Sequence, residues 1–172
     1  MAKLDYNIVM MPALIQTVAH LSSTHTAVRF ARTFGGKRLY FPNRLYSANP
    51  IVRCLGPRVA ERVCKTFLAE TIVVPAATHY LRWIDARALL VVGLSRADIG
   101  AALGLSQRQV FRLVEGFDPA EIEVDRTVLE IARLYNVSRR TLSRVVVAQM
   151  NIRQRDFGWP ADQRGAPVPF HR

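Results

Sequence analysis

Residues 96–114 read Arg96-Ala97-Asp98-Ile99-Gly100-Ala101-Ala102-Leu103-Gly104-Leu105-Ser106-Gln107-Arg108-Gln109-Val110-Phe111-Arg112-Leu113-Val114, two short helical patterns separated by three residues. Two helices that cross steeply over so short a turn need a tiny side chain where their backbones approach, and Gly100 supplies it four residues before the turn. The turn itself needs a left-handed residue, a conformation that glycine and asparagine tolerate best, and Gly104 occupies that position. Leu105 then serves as a hydrophobic plug and Ser106 as the cap of the second helix. Val110 and Leu113 face a core at a three-residue interval, which leaves the polar and cationic residues outside. A preceding helix over residues 80–92 completes a three-helix module, so this region is expected to be a helix-turn-helix over residues 79–116.

The same pattern returns 32 residues later. Ile99, Gly100, Leu103, Gly104, Leu105, Ser106, Val110 and Leu113 align with Ile131, Ala132, Tyr135, Asn136, Val137, Ser138, Leu142 and Val145. Asn136 takes the left-handed position and Ser138 the cap, while Ala132 and the bulky Tyr135 replace smaller residues. Residues 117–150 are therefore expected to form a second helix-turn-helix. Asp118-Pro119-Ala120-Glu121 carries the cap, first-turn proline and third-position acid of a helix start, which places that helix's beginning there.

The outward residues indicate a chemistry. On the first module they are Ser106, Gln107, Arg108, Gln109, Phe111 and Arg112; on the second, Ser138, Arg139, Arg140, Thr141, Ser143 and Arg144. Gln and Arg read adenine and guanine edges bidentately in the major groove, and Phe can touch a thymine methyl. Charge on an exposed face can also do no more than keep that face solvated. The bulk composition favours the first reading: 24 Lys and Arg against 13 Asp and Glu give +11, the balance of a protein whose partners are anionic. Six of the acids and only Arg126 among the bases fall between Glu115 and Glu130, so the remainder carries 23 basic against 7 acidic residues, or +16. Double-stranded DNA is the expected partner.

A further self-match, at an offset of 33, organises the N-terminal part: Ala27 with Ala60, Ala31 with Cys64, Phe34 with Phe67, Leu39 with Ile72 and Pro42 with Pro75. Each copy reads as an amphipathic helix (residues 26–33 and 57–66) followed by a short β-rich run (38–41 and 71–74) closed by proline. Gly35-Gly36 permits a left-handed turn in the first copy, whereas Leu68-Ala69 stands in the second, so the two turns need not match. Strands this short must pair with each other or with the same strand of another chain. The expected fold is mainly α, a helix-turn-helix protein with an N-terminal duplicated helix-strand dimerisation region over residues 1–78.

Residues 26–115 resemble the Mor family of bacteriophage transcription activators, related to the C activators of Mu-like phages. The resemblance rests on the helix leading into Phe34-Gly35-Gly36-Lys37-Arg38-Leu39-Tyr40-Phe41-Pro42, on the linking helix, on the break at Gly93-Leu94-Ser95 and on the helix-turn-helix that begins at Arg96. It implies that the helix-and-strand part forms a homodimer through Leu39, Tyr40 and Phe41, that residues 107–112 lie on a recognition helix over a dyad DNA site, and that the bound dimer helps recruit RNA polymerase.

The rest of the chain offers little chemistry. Cys54 and Cys64 read as ordinary reduced thiols, and His20, His25, His79 and His171 lack the paired spacing of zinc ligands, so neither metal nor cofactor is expected. The apolar run from Ile8 to Ile15 is short and broken by Pro12, unlike a signal sequence or membrane span, and a cytoplasmic protein of a bacterial host cell is expected. No Gly-rich phosphate loop, nucleophile-base pair or catalytic carboxylate cluster points to an enzyme. From Asn151 onward the Gly- and Pro-broken sequence reads as a flexible or surface-wrapped tail over residues 151–172. Two alternatives use the same features: a helix-turn-helix protein-interaction module, such as an antiactivator or adaptor, and an architectural DNA-binding protein.

Overall fold

The apolar periodicity of the chain is mostly helical, and the computed structural model, which describes residues 7–156, is mainly helical. A 3-10 turn (Ile8–Met10) leads into α1 (Ala13–Leu21) and α2 (Thr24–Phe34), which is capped by the Ser23 side chain. After β1 (Arg38–Tyr40) come α3 (Pro50–Leu55), capped by Asn49, and α4 (Pro57–Thr66), then β2 (Thr71–Val73). These elements pack as a group, with α1 on α2 and α4, α2 on α3, and α3 on α4. Their shared interior holds Ile15, Val18, Phe30, Ile51 and Val63, all essentially inaccessible.

The strand pairing that the sequence leaves open is made within the chain. β1 runs antiparallel to β2 with Leu39 opposite Ile72, flanked by Arg38 with Val73 and Tyr40 with Thr71. Backbone hydrogen bonds extend the ladder on both sides, Phe41 N–H to the Glu70 carbonyl (2.9 Å) and Val74 N–H to the Lys37 carbonyl (2.9 Å). Leu39 and Ile72 face the core, and Arg38, Tyr40, Thr71 and Val73 face outward. The turns before the two strands prove alike: Gly36 has φ 78° and Ala69, in the corresponding position, φ 57°. Alanine accepts that left-handed geometry only at a steric cost, here within a loop bonded from Ala69 N–H to the Phe41 carbonyl (3.0 Å).

The second half of the molecule is mounted on α5 (Thr78–Val91), which packs against α6 (Arg96–Leu103), α7 (Gln107–Val114) and α8 (Arg126–Leu134). Eight of its fourteen residues are buried, including Trp83, Ile84 and Leu89, a share that marks α5 as the central helix. One buried residue is a carboxylate. Asp85, 2 % exposed, accepts hydrogen bonds from the Arg32 guanidinium on α2 and from the Tyr135 hydroxyl (2.6 Å) just beyond α8. A buried charge is tolerated only with such partners, so this triad ties the N-terminal group, α5 and the α8 region together. His25 adds a second link from α2 to α8, its Nδ1 lying 3.0 Å from the Thr127 hydroxyl and its Nε2 3.6 Å from Glu130.

Two boundaries differ from the sequence expectations. Asp118 does accept a backbone bond, from Ala120 N–H (2.8 Å), but it closes only a 3-10 turn (Pro119–Glu121); the helix begins at Arg126, capped by Asp125, which accepts from Val128 N–H (2.9 Å). The intervening chain stays extended because Ile122 turns inward and is buried. α9 (Arg139–Asp156) runs six residues into the segment read as a tail, while the remainder of that segment, residues 157–172, lies outside the described residues. The helices α1 and α3 are additions to the elements that the sequence pattern predicts. Among the described residues, no helix is long and apolar enough to cross a membrane.

Candidate nucleic-acid interface

The turn between α6 and α7 has the geometry its residues demand. Gly104 ends α6 at φ 63°, ψ 42°, and the chain reverses so that Leu105 N–H reaches back to the Gly100 carbonyl (2.8 Å). A β-carbon on Gly100 would lie 2.8 Å from the Leu105 carbonyl oxygen, closer than real contacts allow, so at this turn any larger residue would force the backbones to shift. The equivalent turn between α8 and α9 repeats the arrangement with different residues: Asn136 has φ 56°, and Val137 N–H bonds to the Ala132 carbonyl (2.9 Å). Ala132 is fully buried there.

Helix α7 is capped on both sides of its first turn. The Ser106 hydroxyl accepts from Gln109 N–H (3.3 Å), and Gln109 Oε1 accepts in return from Ser106 N–H (2.8 Å) and from the Ser106 hydroxyl (3.0 Å). Ser106 and Gln109, expected among the outward residues, are therefore committed to building the helix start. At the other end the Arg87 side chain, stacked over Trp83 (4.0 Å to the ring centroid) and Phe117 (4.8 Å), donates Nε–H to the Leu113 carbonyl (3.2 Å). A cation at the carboxyl end of a helix satisfies one of its free carbonyls and complements its dipole. Val110, Leu113 and Val114 are buried beneath α7.

What remains outside is Gln107, Arg108, Phe111 and Arg112, all exposed on one short helix. The side chains of Gln107, Arg108 and Arg112 make no hydrogen bond or ion pair among the described residues. Phe111, 48 % exposed, is covered on one side by the Arg96 guanidinium, 5.2 Å from its ring centroid. Arg96 joins this face although the sequence offers only a weak signal for it, a cation in the first turn of α6 opposite an exposed aromatic on α7. The arrangement is a rigid helix, held at both ends, whose outer face carries three side chains with free donors and a partly shielded aromatic ring.

The second unit keeps its cap but not its packing. Ser138 accepts from Thr141 N–H (3.1 Å), and the two hydroxyls lie 2.8 Å apart. Arg139, Arg140, Ser143 and Arg144 are exposed and Thr141 is half-buried, yet none of residues 139–149 is fully buried. Gln149 fastens the far part of the helix, accepting from Val124 N–H (2.8 Å) and donating to the Ile122 carbonyl (2.7 Å). Beside the turn, burial and the hydrogen bond to the Asp85 carboxylate push the Tyr135 hydroxyl up to about 12.

The residues read as a dimerisation strand fall on two sides. Phe41 is buried with its ring 5.2 Å from that of Phe67, Leu39 packs on the core, and only Tyr40 presents its side chain, 54 % exposed. Buried Cys54 and Cys64 are free thiols, and burial pushes the Cys64 thiol up. No protein-family model, curated protein or solved structure matches this chain.

Proposed function

We propose that the chain is a sequence-specific DNA-binding transcription regulator of phage or mobile-element type, built on a helix-turn-helix formed by α6 and α7. The observation that carries the reading is the exposed, intramolecularly unengaged row Gln107, Arg108 and Arg112 on a helix capped at one end and clamped by Arg87 at the other. Preorganised side chains of these types are the ones that form bidentate contacts to base edges. α8 and α9 form the second, related unit, whose Arg140 and Arg144 supply phosphate contacts, and the high positive charge draws the molecule to the duplex.

The likeness of residues 26–115 to the Mor activators is what suggests an activating role in a bacterial cytoplasm, with RNA polymerase as a partner; no catalytic role is proposed. Because β1 already pairs with β2, a homodimer is formed through the outer surface of the sheet, where Tyr40 and Val73 are 54 % and 56 % exposed, and not through an exchanged strand. Selection of bound sequences from a random duplex pool tests the proposal. Two half-sites with centres about 34 Å apart, one helical turn, are expected. Tight binding that enriches no sequence would favour an architectural protein instead, and weak, salt-insensitive binding a protein-interaction module.

A further inference from the structure

Helix α9 is a long helix whose apolar residues between 142 and 147 are nowhere fully buried among the described residues. At the positions where α7 buries Val110, Leu113 and Val114, α9 has Leu142, Val145 and Val146, all only half-buried, and beside them Val147 is 54 % exposed. Between α9 and α8 lies an open groove of about 750 Å³ whose floor is Leu129, Val137, Leu142, Val146 and Val147. Arg133 and Arg139 form its rim, with Ser143 as the other polar lining residue, and no acidic side chain among the described residues lines it. Neither arginine is ion-paired among the described residues.

We propose that this groove docks an amphipathic helix of a partner protein, one whose apolar stripe is bordered by acidic side chains. The walls are themselves helical, and Arg139, Leu142, Ser143 and Val146 recur at the three- and four-residue spacing of one helix face, so a third helix packs along them by the same ridge-and-groove fit. The rim sets the charge of the occupant. A second copy of this chain, at +11 and with its own Arg133 and Arg139, would bring like charges to the same edge. The groove thus separates two roles on α9: Arg139 and Ser143 border the docking face, whereas Arg140 and Arg144, outside it, remain with the DNA reading. This assignment stands apart from that reading, since the groove shares no residue with α7.

The test uses the full chain and a fluorescein-labelled peptide of about 20 residues with Leu at i, i+3, i+4 and i+7 and Glu on either flank, followed by anisotropy. A peptide of the same composition, scrambled so that no stripe forms, is the control. The striped peptide is expected to bind saturably and roughly tenfold more tightly than the scrambled one, and Val147→Glu and the pair Arg133→Glu, Arg139→Glu should each weaken it about tenfold. Val147 is 54 % exposed, so its replacement is expected to leave the thermal melt unchanged. Arg108→Ala should leave peptide binding intact, which keeps this result independent of DNA recognition. Equal binding of both peptides, or indifference to the groove variants, would overturn the proposal. So would a wild-type dimer that Val147→Glu converts to monomer, which makes a second copy the occupant, or loss of duplex binding in the uncharged variant Val147→Ser, which makes DNA the occupant.

Discussion

At Gly100 the absence of a side chain is a packing requirement, because an added β-carbon would meet the Leu105 carbonyl oxygen at 2.8 Å, a backbone atom that cannot swing aside. Gly100→Ala should therefore open the turn and cost about 1–3 kcal/mol in chemical denaturation, as overpacking does. A variant as stable as wild type would show that the turn relaxes freely. Gly104 and Asn136 are legible in the sequence because a left-handed turn is a local demand that few residues meet. Asp85 is not, since its partners Arg32 and Tyr135 stand 53 and 50 residues away and only the folded chain brings them together. Tyr135 makes that triad visible by pH. Its hydroxyl is held at about 12 against an ordinary 10, so the unfolded chain loses this proton first and stability falls as pH rises from about 10 to about 12. The urea midpoint of wild type should drop across that window more than that of Tyr135→Phe, and equal slopes would remove Tyr135 as the cause.

Among the elements, α2, α4, α6 and α7 lie within a residue or two of their expected bounds: α2 and α7 join an amphipathic period to a serine cap, α4 has the period and a first-turn proline, and α6 is marked by its Ser95 cap. α3 is six residues long, too short to show a period, and the start of α8 escapes a sequence reading because the Asp118-Pro119 pattern serves a 3-10 turn as well as it serves a helix. Ser106 illustrates how one residue carries an element. Replacing it with Ala removes the acceptor for Gln109 N–H and one of the two donors to Gln109 Oε1, leaving only the backbone N–H to hold that side chain, at a cost of about 1 kcal/mol. Thermal unfolding of Ser106→Ala should show that loss together with weaker DNA binding, because the frayed first turn carries Gln107 and Arg108. A loss of stability without any loss of DNA binding would separate this helix start from the recognition surface.

On the scale of the whole molecule, the two-stranded sheet and α5 hold the arrangement. That β1 finds β2 in its own chain cannot be read from sequence, where pairing within and between chains satisfies the same short strands; the fold settles it by placing Leu39 opposite Ile72 over a shared core. The charge imbalance is legible from composition alone, and it predicts that affinity for any duplex falls steeply as salt rises, with a log–log slope of roughly −0.9 for each phosphate neutralised. A slope near zero would leave the +11 charge without its proposed role. Specificity is a different quantity, which in the proposed function falls to α7. The most direct measurement is the Kd of wild type and of the Arg108→Ala, Arg112→Ala double variant on a selected duplex and on a scrambled duplex of equal length. Wild type should prefer the selected site, and the variant should lose about 1–3 kcal/mol per arginine on that site alone. An equal loss on both duplexes would mean that α7 grips phosphates and does not read bases.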